Sequence, residues 1–352
     1  MNATSDLRVR RWLVASAAAV VLAVAIGGIT RLTESGLSIT EWRPVSGILP
    51  PLSRAEWNEA YQRYLAIPEA QTVHRGITLG QFQVLFWWEW VHRLLARLVG
   101  LILAVPYFVL LARGHLRSAH RWRLLLLPVL AAAQGALGWY MVKSGLEVRQ
   151  DVSPYRLTAH LGMALAIYVV CVWTALDLGP PRAGAVGSPR FLRGWLLAAA
   201  CLTTITLLSG GFVAGLDAGR VYNTFPLMGG QVAPPGYLLS GAGWRNAFEN
   251  PAAAQFHHRV LALGTATLLL IIAALGRRPR VSAPLRRATG AAGLTVVLQV
   301  GLGITTLLLR VPIVAGVLHQ VTGLAVLAAV LVAAHRAEAG DLQGNATPTA
   351  SR

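Results

Sequence analysis

The sequence predicts an all-α polytopic membrane protein: eight transmembrane helices arranged as two tandem four-helix bundles. Three observations carry that prediction. Of 352 residues, 55% are hydrophobic and only 13% charged, whereas a soluble chain of this size carries about a quarter charged residues. Apolar runs of about 20 residues, enough to cross ~30 Å of hydrocarbon, recur along the whole length. Finally, the second half of the chain repeats the first.

The apolar windows fall at roughly 12–31, 83–111, 122–141, 156–176, 191–212, 254–275, 288–309 and 313–334. The first follows the basic stretch RVRRW, and no small-residue cleavage site appears in the GGITRLTESG that comes after it. It therefore reads as a retained helix rather than a secretory signal. No Arg/Ser-rich transit peptide precedes it, which favours a bacterial plasma (inner) membrane. The last two spans are joined by Arg310–Val311–Pro312, a tight reversal. Eight spans place both termini on one side, and the basic residues choose it. Arg8, Arg10 and Arg11 precede the first span; Arg113, Arg117, Arg121 and Arg123 separate spans two and three. Arg182, Arg190 and Arg193 separate four and five, and Arg277, Arg278, Arg280, Arg286 and Arg287 separate six and seven. The other side carries two long segments, at about 32–82 and 213–253. In the first of them Glu34, Glu41, Glu56, Glu59 and Glu69 offset Arg43, Arg54, Arg63 and Arg75. Both termini are therefore expected in the cytoplasm. This clustering also accounts for the formal charge of +17 as topology and leaves no role for nucleic acid. Cys171 and Cys201 both lie in apolar segments, so there is no disulfide framework and no CxxCH attachment site for haem.

The internal repeat is legible in four places. GGITRLTESG (27–36) matches GGFVAGLDAG (210–219), and EWVHRLLA (89–96) matches QFHHRVLA (255–262). QGALG (134–138) matches QVGLG (299–303), and AHLGMALA (159–166) resembles LHQVTGLA (318–325). Four helices per half is an even number, so the halves, 1–180 and 181–352, insert in the same orientation. A pseudo-two-fold axis along the membrane normal should relate them.

Charged groups inside a span are expensive, about 2.5–3.5 kcal/mol each at the helix centre on insertion scales. The stretch FWWEWVHRLLARLVG (86–100) nevertheless holds Glu89, His92, Arg93 and Arg97. His74, His115, His120 and His335 fall in loops or at span ends and read as solvated. His257 aligns with Val91 and reads as an auxiliary polar residue. His92, His160, His258 and His319 differ: each lies one to three turns from the outer start of an even-numbered span, two per repeat. Zinc would want a compact tetrahedral set, often with Cys or carboxylate. One histidine on each of two helices in a four-helix unit suits axial ligation of a haem. The repeat then predicts two pockets on the outer side, His92 with His160 and His258 with His319. Arg93 and Arg259, each following its histidine, could meet haem propionates; snorkelling to the interface is the alternative.

The copies differ at one point. Three residues before the ligand stands Glu89 in the first half and Gln255 in the second, on the ligand's own face of the helix. A carboxylate accepts a proton or stabilises positive charge where an amide only hydrogen-bonds. The N-terminal pocket thus reads as the chemical one and the C-terminal pocket as the seat of a resident redox cofactor. An i,i+4 pairing of Glu89 with Arg93 is the plainer alternative.

At these residues the chain closely resembles the haem A synthase family, in its mitochondrial and proteobacterial form. GGITRLTESGLSITEWRPVSGILPP, EWVHRLLARLVG, GLDAGRVYNTFPLMGG, FENPAAAQFHHR and VLHQVTGLA carry the likeness. It implies an oxidoreductase that turns the C8 methyl of haem O into a formyl group by successive hydroxylations, giving haem A for cytochrome oxidase. It implies further that His92 and His160 flank the substrate haem O, that Glu89 is the catalytic carboxylate, and that His258 and His319 ligate a haem b. Haem O synthase and cytochrome oxidase assembly factors are the partners it suggests, within the lipid bilayer; the electron acceptor and a homo-oligomeric state stay open. Some bacterial members carry a cysteine pair in the first outer segment, and residues 32–82 have none. A dihaem b-type electron-transfer protein, quinol-linked, would explain the histidines and the repeat but not Glu89 against Gln255. A haem transporter or assembly chaperone is a third reading.

Overall fold

The computed structural model describes residues 3–43, 46–116, 118–147, 151–179 and 190–344. Arg117 and Arg182 of the basic segments, Pro44 and Val45 of the first outer segment, and the boundary between residues 180 and 181 lie outside the described residues.

Eight long helices carry the chain: α1 (Ala3–Leu32), α4 (Leu79–Ala112), α5 (Ser118–Glu147), α6 (Pro154–Asp177), α7 (Arg190–Gly215), α9 (Pro251–Gly276), α10 (Ala283–Leu308) and α11 (Ile313–Gly344). Three short ones lie outside them: α2 (Arg54–Leu65) and α3 (Pro68–Thr72) between α1 and α4, and α8 (Asn246–Glu249) before α9. The described residues contain no β-strand. All eight predicted spans coincide with the long helices, only residue 309 falling one beyond α10, and each helix is long and apolar enough to cross a membrane. The chain is a multi-pass membrane protein. Large apolar side chains such as Leu101, Leu126, Ile205 and Leu298 are exposed on the bundle's flanks. In water they would form an unpartnered patch; lipid tails match them.

Helix ends overrun the apolar windows because their caps are polar. Thr78 closes a capping box with Gln81 at the start of α4 and Ser53 one with Glu56 at the start of α2. Asn250 accepts from the Ala252 N–H at 3.0 Å to start α9, behind Pro251 at the first helical position. The tight reversal predicted at 310–312 is present. Val311 donates back to the Thr306 carbonyl at 2.8 Å, with Arg310 and Val311 both left-handed (φ 58° and 62°). For a β-branched residue that conformation is strained, and the Val311 side chain is seated against Gly219.

Packing divides the helices into two sets. In the first, α1 and α5 each contact α4 and α6; in the second, α7 and α10 each contact α9 and α11. Two apolar clusters follow the two sets, the first also taking in Leu324, Leu327 and Leu331 of α11, and the sets meet along α6–α7, α1–α11 and α6–α11. A third cluster, with Leu37, Tyr64, Ala70, Phe82, Phe86 and Val152, lies under the first outer segment. The aligned acids Glu34 and Asp217 end α1 and α7 in the same way, left-handed at φ 53° and 49°. Just before these turns come the aligned glycine pairs. Added side chains at Gly28 and Gly211 would collide with residues of the opposite set, Gln320 in α11 and Thr158 in α6. The halves can approach because these positions have no Cβ.

Candidate functional site

All four singled-out histidines sit near the starts of α4, α6, α9 and α11, and each ring enters a notch made by a glycine near the end of a neighbouring helix. A Cβ at Gly27 of α1 would stand 2.9 Å from Cε1 of His92, and one at Gly138 of α5 would stand 3.1 Å from His160. In the second set, Gly210 of α7 and Gly303 of α10 meet His258 and His319 at 3.2 and 2.8 Å. Helix starts and helix ends meet at one end of the bundle, so all four rings share one level. Three rings lie over the carbonyl four residues before their glycine, at Ala23, Thr206 and Gln299. Nδ1 of His258 also has a full hydrogen-bond partner, Ser209 Oγ at 2.8 Å. Nδ1 of His92, His160 and His319 is shielded and lacks a partner of good geometry. Nδ1 turned toward helix backbone leaves Nε2 as the free ligand atom. At His160 that atom faces the Gln134 amide nitrogen at 3.3 Å.

The residues fit an iron held between two imidazoles. The His258 and His319 ring centroids are 6.4 Å apart and their planes cross at 85°. Two metal–nitrogen bonds of about 2 Å, with each nitrogen about 1 Å from its ring centre, give about 6 Å. His92 and His160 are near enough to interact electrostatically. Neither pair has a third metal-ligating side chain: the described residues hold no cluster of three or more His, Cys, Asp or Glu able to bind a metal ion.

Glu89 is 2% exposed, and four donors surround its carboxylate. Oε2 accepts from the Ser38 hydroxyl at 2.7 Å and the Ile39 N–H at 2.6 Å. Oε1 accepts from Arg93, Nε at 3.0 Å and Nη2 at 2.6 Å. The i,i+4 ion pair is therefore real, and it is only part of Glu89's environment. Arg93 continues to the carbonyls of Ile39 (2.7 Å) and Glu41 (3.1 Å). Arg259 does the same to Tyr222 and Thr224, both at 2.8 Å. In the repeat's register 39 and 41 correspond to 222 and 224, so both arginines latch the outer segment of their own half. At Gln255, also 2% exposed, Nε2 donates to the Tyr222 carbonyl at 3.1 Å. The equivalent contact in the first half runs the other way, from the Ile39 N–H into Glu89.

A sequence model for the family described as cytochrome oxidase assembly protein matches residues 10–331. Three similar proteins are each called heme A synthase. That of Caulobacter vibrioides is 45% identical over 326 residues, 92% of this chain and 93% of the relative. That of Rhizobium etli strain CIAT 652 is 44% identical over 319 residues, 90% and 86% of the two chains. That of Sphingopyxis alaskensis is 43% identical over 327 residues, 93% and 91%. The chain belongs to the haem A synthase family. For a member of that family, the four histidines, Glu89 and the two latching arginines are the residues that the fold brings to one end.

Two of the histidines expected to be solvated, His335 and His74, are engaged instead, and His257, read as an auxiliary polar residue, is hydrogen-bonded too. His335 is 4% exposed; its Nε2 lies 2.8 Å from Asp177 Oδ1, whose other oxygen accepts from Arg123 at 2.7 Å. His74 lies 2.6 Å from the Tyr64 hydroxyl. His257 lies 3.0 Å from the Tyr237 hydroxyl and ties the second outer segment to α9. In each case the partner is distant in the chain or in a segment without periodicity. Sequence reasoning also missed the notch glycines, although all four stand inside the repeated motifs.

Proposed function

We propose that this protein is a haem A synthase: an oxidoreductase of cytochrome oxidase assembly that converts the C8 methyl of haem O into the formyl of haem A. One observation carries the division of labour: two equivalent ligand frames differ by a carboxylate, Glu89, against an amide, Gln255. His92 and His160 flank the substrate haem O in the half formed by residues 1–180. His258 and His319 hold a haem b in the half formed by 181–352, and that haem supplies one-electron transfer. Matched contacts in the two helix sets support a pseudo-two-fold axis along the membrane normal. The arginine clusters support cytoplasmic termini in a bacterial inner membrane, which puts both pockets toward the outer side.

Each residue has a task that its surroundings allow. The histidines would hold the iron of each haem, with the glycine notches setting how far each ring reaches. Glu89 places negative charge next to the ligand face of α4, where it stabilises positive charge developing at the substrate's methyl carbon and orients an attacking water. Ser38, Ile39 and Arg93 hold that carboxylate still. Arg259 keeps a buried, unpartnered Nε and is the better placed of the two arginines to meet a propionate, while Arg93 serves Glu89. Haem O synthase would supply the substrate, which has an apolar tail suited to lateral entry from lipid.

The test is the extracted haem profile of the purified protein. Wild type should contain haem b together with haem O or haem A. Glu89→Gln, which copies the second half into the first, should keep haem b and lose haem A by about 10²–10⁴-fold in rate. Haem b alone in the wild type would favour a dihaem electron-transfer protein.

A further inference from the structure

Glu69 is a second buried carboxylate that this chemistry does not use. It lies in α3 and is 3% exposed; Oε2 is shielded and has no hydrogen-bond partner. Oε1 lies 3.7 Å from Nδ1 of His74, the nitrogen that also meets the Tyr64 hydroxyl at 2.6 Å. The far side of the same ring, Nε2, lies 3.7 Å from Glu34 Oε2. Glu34 is partly exposed and faces Arg220 at 3.5 Å. Glu69, His74 and Glu34 thus form a line of titratable groups from the interior to the outer surface. Each 3.7 Å gap can be closed by one water or a small side-chain rotation.

The inner end of this line abuts the Glu89 pocket. Tyr64 and Ala70, which flank Glu69 in the chain, are buried in the cluster with Leu37, Phe82 and Phe86. Leu37 precedes the Ser38 that donates to Glu89, and Phe86 lies one turn before Glu89 on α4. The groups that act on Glu69 are its own burial first, then the charges of Asp151, Glu89 and Glu34, with Arg31 opposing them; together they push its carboxyl up to about 8. The second half has no such line among its described residues. Its buried polar groups on this side are the amides Asn246 and Asn250, at 8% and 3% exposed, and Gln255, with the Thr306 hydroxyl. Amides and hydroxyls hydrogen-bond without taking up protons.

Oxidation of the methyl group with water as the oxygen source releases protons in quantity. R–CH3 plus water gives R–CH2OH with two protons and two electrons; R–CH2OH gives R–CHO with two more of each. The four electrons need an acceptor, taken here to be of the lipid-soluble quinone class, and a haem held by His258 and His319 would supply one-electron transfer toward it. The protons need a separate exit, because the Glu89 oxygens are already surrounded by donors. We infer that Glu69, His74 and Glu34 form the proton outlet from the N-terminal pocket to the outer face. This rests on the haem A synthase reading and adds positioning and relay residues to it.

The test uses the full-length protein in membranes, following haem A formation against pH with haem b content as the folding control. Glu69→Gln should keep haem b but slow haem A formation roughly tenfold, less than the ~10²–10⁴ of a group acting on the substrate itself. Its pH profile should change shape, and Glu69→Asp should restore both rate and profile. If Glu69→Gln fails to assemble, His74→Gln carries the same expectation. An unchanged rate and profile would overturn the outlet, as would equal slowing in the Gln and Asp variants with an unmoved profile. Haem A formation by Glu89→Gln at the wild-type rate would instead remove the reading underneath, whatever Glu69 does.

Discussion

Replacing Gly303 by alanine should cost the protein its haem b while sparing the fold. The added Cβ would stand 2.8 Å from Cε1 of His319, where relaxed carbon contacts need about 3.5–4.0 Å. The imidazole must therefore withdraw by roughly 0.7 Å or more, or α10 must move away from α11. Metal–ligand distances tolerate about 0.2 Å, so the ring cannot retreat and still ligate. Overpacking of this kind costs about 1–3 kcal/mol, which is about a 5- to 150-fold loss of haem affinity. Gly301 is the internal control: a Cβ there meets nothing within 4 Å. Full-length variants would be purified and haem b per protein measured from the low-spin absorbance bands. Gly303→Ala should be depleted and Gly301→Ala should match wild type. Gly27→Ala, at 2.9 Å from His92, should disturb haem O and haem A while leaving haem b in place. Full haem b with an unshifted spectrum in Gly303→Ala would refute the idea that glycine notches set the ligand positions.

Two further outcomes follow from the outer segments. Glu69 titrates at 4.5 when solvated and at about 8 in the fold, so between those values the folded state holds the extra proton. Its contribution is complete below about 4.5 and lost as pH rises through about 8; melting temperature should fall along that range in wild type and less steeply in Glu69→Gln. Arg259→Ala removes two bonds to the Tyr222 and Thr224 carbonyls, charge-assisted contacts of about 1.5–3 kcal/mol each. Tryptic cleavage after Arg220 and Arg245 should then accelerate, and an unchanged rate would count against the latch.

The membrane architecture was legible because lipid makes the rules local: each span needs its own apolar run and satisfies its own backbone. Thus 83–111 and 254–275 could be placed before any packing was known. The four histidines could be singled out for a different reason, since two copies of one pattern reveal which polar residues are retained inside spans. Roles that depend on contacts between distant segments were not. Nothing in the periodicity of α11 ties His335 to Asp177 in α6, and nothing in EWVHRLLA shows that Arg93 reaches the carbonyls of Ile39 and Glu41. Gly27, Gly138, Gly210 and Gly303 fall between these cases. Their alignment was visible, but the close approach that makes a Cβ intolerable exists only once α1, α5, α7 and α10 stand against the histidine helices.

The halves differ in the buried carboxyl and amide groups at this end of the bundle. Both halves latch an outer segment with an arginine that follows a notch-seated histidine, and both seat their rings in glycine notches. The first half then buries Glu89 and Glu69, and the second buries Gln255, Asn246 and Asn250. An ionised carboxylate in a low-dielectric site carries a desolvation penalty of several kcal/mol even after relaxation, whereas a hydrogen-bonded amide does not. Holding a haem between two histidines, the role proposed for the second half, gives no reason to bear that penalty, and the second half buries amides on this side instead. The first half buries carboxyl groups at two places in one region: Glu89, held beside His92 by four donors, and Glu69, nearer the surface, whose burial makes it keep its proton up to about pH 8. Charge stabilisation and proton removal are the two demands that oxidation of a methyl group adds to haem binding, and the roles proposed for Glu89 and Glu69 answer one each.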